Sequence, residues 1–334
     1  MTTEFLQQPQ GDLIELGKLD HHHRPAHVID RPSVLAINAA LATGRPLLVR
    51  GEPGVGKSQL ARAAAVQLRR PFRQHAVDAS TEPRDLLYTV DAVARLARAQ
   101  IAGALGEGRW QDLALSNFVR PGPLWWAFDW AGAAAQQARA DAATQGLADL
   151  PTVAPPPAED ETARGAVLLI DELDKADSSI PNALLDALGH RRFEVPGCGP
   201  VAMAGARPLV VITTNEERAL PDAFLRRCFV LHLALPDDGG ESALCAALEV
   251  RGAAHFPGCD RAILKKAAEL IARRRLAMRH ERLPAPGVAE YIDLVDAVLG
   301  QRVSGVDPSG LLDEVATFVL HKHEPAPRPP EPAA

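Results

Sequence analysis

Residues 51–58, Gly51-Glu52-Pro53-Gly54-Val55-Gly56-Lys57-Ser58, fit the pattern G-x-x-x-x-G-K-[ST], and their surroundings restrict the fold more than any other feature of the chain. The apolar run Pro46–Arg50 precedes them and reads as a buried strand. Gln59–Arg70 follows, with Leu60, Ala64 and Leu68 on one helical stripe. Strand, glycine loop and helix in that order are the context the pattern requires. Glycines let backbone N–H groups turn inward around an anion. Lys57 adds a cation, Ser58 offers a hydroxyl to Mg2+, and the helix brings its positive end to the same place. A chance glycine-rich turn would lack the flanking strand and helix.

The loop fixes what the rest must build. Arg73–Ala79, Ala166–Ile170, Pro208–Thr214 and Phe229–Leu235 read as four further strands. Strands alternating with helices predict an α/β fold with a five-stranded parallel sheet covered on both faces. After Pro236 the pattern is purely helical, over Glu241–Arg251, Arg261–Arg275, Val288–Leu299 and Leu311–His321. The expected organisation is an N-terminal arm (1–30), a nucleotide-binding core (31–235) with an inserted region (83–165), an all-α domain (236–322) and a Pro-rich tail (323–334). The Pro- and acid-rich part of the insert reads as a linker.

Val167–Glu172 is four apolar residues running into two acids. Asp171 falls at a strand's C-terminal end, where ligands of open α/β sheets bind, and can position Mg2+. Glu172 can polarise an attacking water. The same pair could instead cap the next helix. Val210–Asn215 is another apolar strand with a polar end, and the Asn215 amide could hold that water beside Glu172 or simply form a turn. Leu220–Arg227 reads as a short helix with Pro221 in its first turn. Arg226 and Arg227 at its end can stabilise a transferring phosphoryl group, or cap the helix.

Composition removes other classes. Lys plus Arg is 36 against 42 Asp plus Glu, a net charge of -6, which disfavours nucleic-acid or anionic-membrane binding driven by overall charge. No C-x-x-C occurs among Cys198, Cys228, Cys245 and Cys259, so neither a zinc site nor a redox dithiol is expected. No apolar run is long enough to span a membrane, and the first residues lack a signal pattern. The expected compartment is the cytoplasm.

In this order the motifs resemble the AAA+ ATPases, and in detail the MoxR-like branch: GEPGVGKS (Gly51–Ser58), PGPL (Pro121–Leu124), VLLIDELDKAD (Val167–Asp177), RFEVP (Arg192–Pro196) and ITTNEERALPDAFLRR (Ile212–Arg227). The resemblance covers roughly residues 30–320. It implies an αβα core, a C-terminal helical lid, and a homo-oligomeric ring, typically hexameric, with ATP between subunits. It implies that Gly51, Glu52, Pro53, Gly54, Val55, Gly56, Lys57, Ser58 and Gln59 bind ATP, that Ser58 and Asp171 hold Mg2+, and that Glu172 activates water. Asn215 would be the first sensor, and Arg226 or Arg227, with Arg227 favoured, a finger acting on the neighbouring subunit. It also implies ATP hydrolysis serving a chaperone-like remodelling or maturation role, frequently with a von Willebrand A domain partner. The family places a second sensor arginine at the start of a late lid helix. Here Pro284–Gly287 carries none, and Arg279 and Arg282 are the nearby substitutes.

Three other features remain. The run Arg273-Arg274-Arg275, with Arg279, His280 and Arg282, reads foremost as a solvated helix end, and otherwise as a phosphate or acidic-partner contact. His21-His22-His23 reads as part of a solvated arm. Trp125, Trp126, Phe128 and Trp130 cannot all face one side of a helix, so some are core and the rest could form an interface. The competing functions are a nucleotide-dependent switch or scaffold, a nucleic-acid-associated regulator and a small-molecule kinase.

Overall fold

The computed structural model describes residues 5–6, 13–17, 23, 25–105, 110–145, 164–281, 283–301 and 308–320. The tail, most of the arm, residues 146–163 of the insert, and Arg282 lie outside them. The chain forms two compact units. The first comprises Met1–Ile14, Ile29–Gly51 and Lys57–Leu233. The second comprises Glu15–Val28, Glu52–Gly56 and Ala234–Ala334.

Two short strands, β1 (Leu13–Glu15) and β2 (Ala26–Val28), precede helix α1 (Arg31–Thr43). Asp30 caps α1 by accepting from the Ser33 N–H at 2.9 Å, and Gly44 ends it in the left-handed region. Then follow β3 (Leu47–Arg50), α2 (Lys57–Leu68) and β4 (Phe72–Ala76). The insert contributes β5 (Tyr88–Val90), α3 (Ala92–Leu105), β6 (Val119–Pro121), α4 (Pro123–Phe128) and α5 (Trp130–Thr144). Next come β7 (Val167–Asp171), α6 (Ser179–His190), β8 (Arg192–Val195), β9 (Gly199–Ala202), β10 (Leu209–Thr214), α7 (Asp222–Leu225) and β11 (Phe229–His232).

The central sheet has the order β11-β3-β10-β7-β4, and every pairing is parallel. This is the predicted five-stranded α/β sheet. All six residues of β10 and the first four of β7 are buried, as expected of strands covered on both faces. Burying each Leu, Ile or Val there stabilises the fold by about 1.5–3 kcal/mol. The register sets Ile170 against Ile212 and Thr214 against Arg50, so the loops leaving β3, β7 and β10 emerge along one edge.

The aromatic run of the insert is core. Helix α4 ends at Phe128, and Asp129 starts α5 by accepting from the Gly132 N–H at 2.9 Å. The break turns the aromatic side chains inward in two directions. Trp125, Trp126 and Phe128 are buried, with Trp125 and Phe128 packed on Phe193 of β8. The Arg73 guanidinium stacks 4.1 Å from the Trp126 ring centre and 5.2 Å from that of Trp130. Trp126 and Trp130 meet edge to face. The β8–β9 hairpin, unread in the sequence, packs Phe193, Val195 and Val201 into the same core.

The second unit contains α8 (Gly240–His255), α9 (Arg261–His280), α10 (Val288–Gly300) and α11 (Pro308–Leu320). Leu244, Leu248, Ile271, Tyr291, Leu294 and Leu312 are fully buried among them. The buried Tyr291 hydroxyl donates to the Leu264 carbonyl at 3.1 Å. His23 is not a solvated arm residue: its Nε2 lies 2.8 Å from His255 Nδ1, with the rings parallel to within 2°. No described helix is long and apolar enough to cross a membrane.

Candidate functional site

Four segments of the first unit converge at the sheet edge. Ser58, in the first turn of α2, donates through Oγ to both Asp171 carboxylate oxygens at 2.9 Å. Asp171 ends β7 and also accepts from Thr213 Oγ1 on neighbouring β10 and from Gln74 Nε2 on β4 at 3.1 Å. Lys57 is 7% exposed. Its Nζ donates to the Gly51 carbonyl at 2.7 Å and to Asn215 Oδ1 at 2.6 Å. Burial lowers the Lys57 pKa below its ordinary value, and the carboxylates of Asp171, Asp174, Glu172 and Glu216 oppose that shift without cancelling it.

Glu172 leaves β7 with a left-handed backbone, φ 58°. Its N–H donates to Thr213 Oγ1 at 2.9 Å. Its carboxylate accepts from Asn215 Nδ2 at 3.4 Å and pairs with Lys175 Nζ at 2.6 Å. A left-handed non-glycine residue stores about 1–3 kcal/mol of backbone strain. Neighbouring Asp174 is 2% exposed and accepts at Oδ2 from the backbone N–H groups of Asn215 (3.2 Å) and Glu217 (3.0 Å). It therefore holds the chain leaving β10 where the Asn215 amide reaches both Lys57 and Glu172. Thr213, Gln74, Asp174 and Lys175 were not singled out in the sequence. Asp174 and Lys175 sit in the stretch DELDKAD, where the third acid and the following lysine were the only signal.

Gly54 and Gly56 carry the loop through φ 76° and φ 98°. A Cβ on Gly54 would also lie 2.9 Å from the Ala289 Cβ at the start of α10, so glycine is required twice over. Glu52–Gly56 belongs to the second unit, and Glu52 is paired there with two arginines of α9. Arg275 NH2 donates to Glu52 Oε2 at 2.7 Å and Arg279 NH1 to Glu52 Oε1 at 2.9 Å. The reading of the Arg273–Arg275 run as a solvated helix end is thus corrected at Arg275, while Arg273 is exposed as expected. Arg275 is 1% exposed, because Asp237 and Glu52 compensate its charge inside the fold. Burial alone would lower its pKa, but its hydrogen bonds to those carboxylates outweigh it and raise the value.

Arg226 and Arg227 follow α7 and are exposed. Their backbone N–H groups close the turn onto Asp222 and Phe224, and among the described residues neither side chain makes a hydrogen bond or ion pair. Arg227 instead lines an open groove of about 500 Å³ with Arg45, Asn182, Asp186 and His190.

These residues fit a nucleotide and a hard divalent cation. Within the first unit, the N-terminus of α2 offers backbone donors, Lys57 offers a cation, and Ser58 with Asp171 forms the oxygen-donor set that Mg2+ prefers. The AAA domain (dynein-related subfamily) matches residues 46–229, more than half of the chain. The chain belongs to this AAA family. No curated protein sequence is significantly similar to it. Among solved structures, a mutant of Thermotoga maritima RuvB is 14% identical to this AAA protein, spanning 86% of this chain and 68% of that one, with a TM-score of 0.42. A Cytophaga hutchinsonii protein described as an ATPase is 15% identical, spanning 86% and 80%, with a TM-score of 0.38.

Proposed function

We propose that this AAA protein binds ATP with Mg2+ at the loop Gly51–Gln59 and hydrolyses it to ADP and phosphate, as a ring-forming, MoxR-like remodeller or maturation factor of a partner protein. The observation that carries the reading is the convergence of Lys57, Ser58, Asp171, Glu172 and Asn215 on one sheet edge. Lys57 neutralises the outer phosphates. Ser58 and Asp171 hold Mg2+, which supplies charge neutralisation to the phosphoryl oxygens when bound. Glu172 accepts a proton from the attacking water, and Asn215 orients both Glu172 and Lys57. The free guanidinium of Arg227, or of Arg226, reaches a neighbouring subunit's phosphates. The MoxR-like assignment rests on GEPGVGKS, VLLIDELDKAD and ITTNEERALPDAFLRR, and it carries the expectation of a client or von Willebrand A domain partner.

The test is ATP consumption per subunit measured against protein concentration, for the parent and for Lys57→Ala. The reading requires a rate that rises with assembly and that Lys57→Ala removes. A variant consuming ATP as well as the parent would sink it. The Lys175–Glu172 ion pair favours one second reading, a nucleotide-dependent switch with slow turnover. Equal rates for the parent and Glu172→Gln would select the switch. The burial of Arg275 removes one cation from the cluster on which a nucleic-acid role would rest.

A further inference from the structure

The phosphate loop carries a carboxylate where its chemistry calls for none. Glu52 lies one residue after Gly51, and an uncompensated negative charge there repels a di- or triphosphate. Within the second unit that charge is answered by a four-membered network. Arg275 donates from Nε to Asp237 Oδ1 at 2.6 Å, and from NH2 to Asp237 Oδ2 at 2.8 Å and to Glu52 Oε2 at 2.7 Å. Its NH1 donates to the Pro286 carbonyl at 3.0 Å. Arg279 NH1 bridges the same two carboxylates. Two arginines thus balance two acids, and the fork of one buried guanidinium ties together three segments distant in sequence. The loop tip is held from the same side. Gly54 abuts Ala289, and the Pro53 carbonyl lies against Gly287, just before α10.

We infer that Arg275 is a positioning residue of the phosphate loop: it neutralises Glu52 and fixes the loop tip in the shape that receives phosphate, with Arg279 sharing the compensation. The inference rests on the proposed nucleotide binding but adds a residue that touches no nucleotide. Without Arg275, the half-exposed Arg279 remains as the bridge between Glu52 and Asp237. The loop then loses one compensating cation and the fork that ties it to Asp237.

The experiment measures the dissociation constant of a methylanthraniloyl-labelled ADP by fluorescence, with thermal melts on every variant. Arg275→Ala is expected to weaken binding about tenfold or more, and Arg275→Lys to recover only part, because an ammonium cannot fork between Asp237 and Glu52. Removing the offending charge as well, in Glu52→Gln with Arg275→Ala, is expected to return affinity to within about threefold of the parent. A general packing defect would not be rescued that way. Parent-like affinity of Arg275→Ala, or a double variant as weak as the single, overturns the inference. If Arg275→Ala does not melt cooperatively, Arg279→Ala decides, since it leaves the buried arginine in place. About threefold weaker binding is expected of it, and unchanged affinity overturns the inference. Lys57→Ala separates the two levels. Lost binding there with parent-like Arg275→Ala defeats only the positioning role, whereas a folded parent that binds no labelled ADP defeats both.

Discussion

Lys57 Nζ donates to Asn215 Oδ1 at 2.6 Å, while the amide nitrogen of the same side chain donates to Glu172. One asparagine therefore joins the cation of the phosphate loop to the acid that follows β7. An anion that draws Lys57 away from Asn215 removes the donor that the amide oxygen now accepts from.

The Lys57 amine is the first quantity to test. Its pKa is lowered by burial, so it loses its proton below the ordinary lysine value of 10.5. A bound anion favours the protonated form. Nucleotide affinity is therefore expected to fall as pH rises toward 10.5, beginning below it, whereas Lys57→Arg keeps its charge and shows no such fall. Labelled-ADP titrations across alkaline pH check this. A parent profile as flat as that of Lys57→Arg would contradict it.

Glu172→Gln separates binding from chemistry. The amide keeps the side chain's size and can still accept from Asn215 but cannot take a proton. Labelled-ADP affinity is expected to stay within about threefold of the parent, while ATP turnover falls by about 10²–10⁴-fold. A steady-state phosphate assay reads the second quantity.

Asp174 tests how the site is supported. Asp174→Ala leaves the Asn215 and Glu217 N–H groups without their acceptor, at a cost of about 1–3 kcal/mol in stability, and frees the chain that carries Asn215. Turnover is expected to fall about tenfold or more in kcat with little change in KM. Asp174→Asn keeps an accepting oxygen and is expected to recover most of both. Equal losses in the two variants would show that the carboxylate charge, and not its geometry, matters.

What the sequence disclosed, and what it withheld, follows from the range of the interactions. The strand–loop–helix unit around Lys57 and the strand ending in Asp171 and Glu172 are contiguous signals, each written in one short run with its own hydrophobic pattern. Arg275 was misread because its helical neighbours Arg273 and Arg274 are polar, and its acidic partners lie 38 and 223 residues away. Thr213 and Gln74 reach Asp171 only through the sheet order, which no local pattern encodes. The four aromatic residues after Gly122 were ambiguous until Asp129 was seen to break the helix between them.

Cys228 offers a check on the fold that needs no ligand. It immediately follows Arg227, and burial raises its thiol pKa to about 12, against the opposing pull of Arg45 and Arg50. At neutral pH the reactive thiolate is nearly absent, so iodoacetamide is expected to leave Cys228 unmodified in the folded protein and to alkylate it in denaturant. Peptide mass mapping reads the difference. Rapid labelling of the native chain would place that strand entrance in solvent.

The exposed arginines call for a test that distinguishes action on a neighbour from action within one chain. Lys57→Ala has a defective loop but intact arginines, and Arg227→Ala the reverse. If Arg227 serves its own loop, neither variant repairs the other and the mixture stays inactive. If it serves the next subunit, a site regains activity wherever an intact loop meets a subunit with an intact arginine. Random mixing in equal amounts is then expected to restore about a quarter of the parent rate per subunit, because both conditions hold at about one site in four. Repeating the mixture with Arg226→Ala identifies which arginine acts. Neither side chain is fixed by a hydrogen bond or ion pair among the described residues, so their substitution is expected to shift stability by no more than about 0.5 kcal/mol. A lost rate with an unchanged melt therefore reports on the chemistry and not on the fold, and the mixture tells which loop the arginine serves.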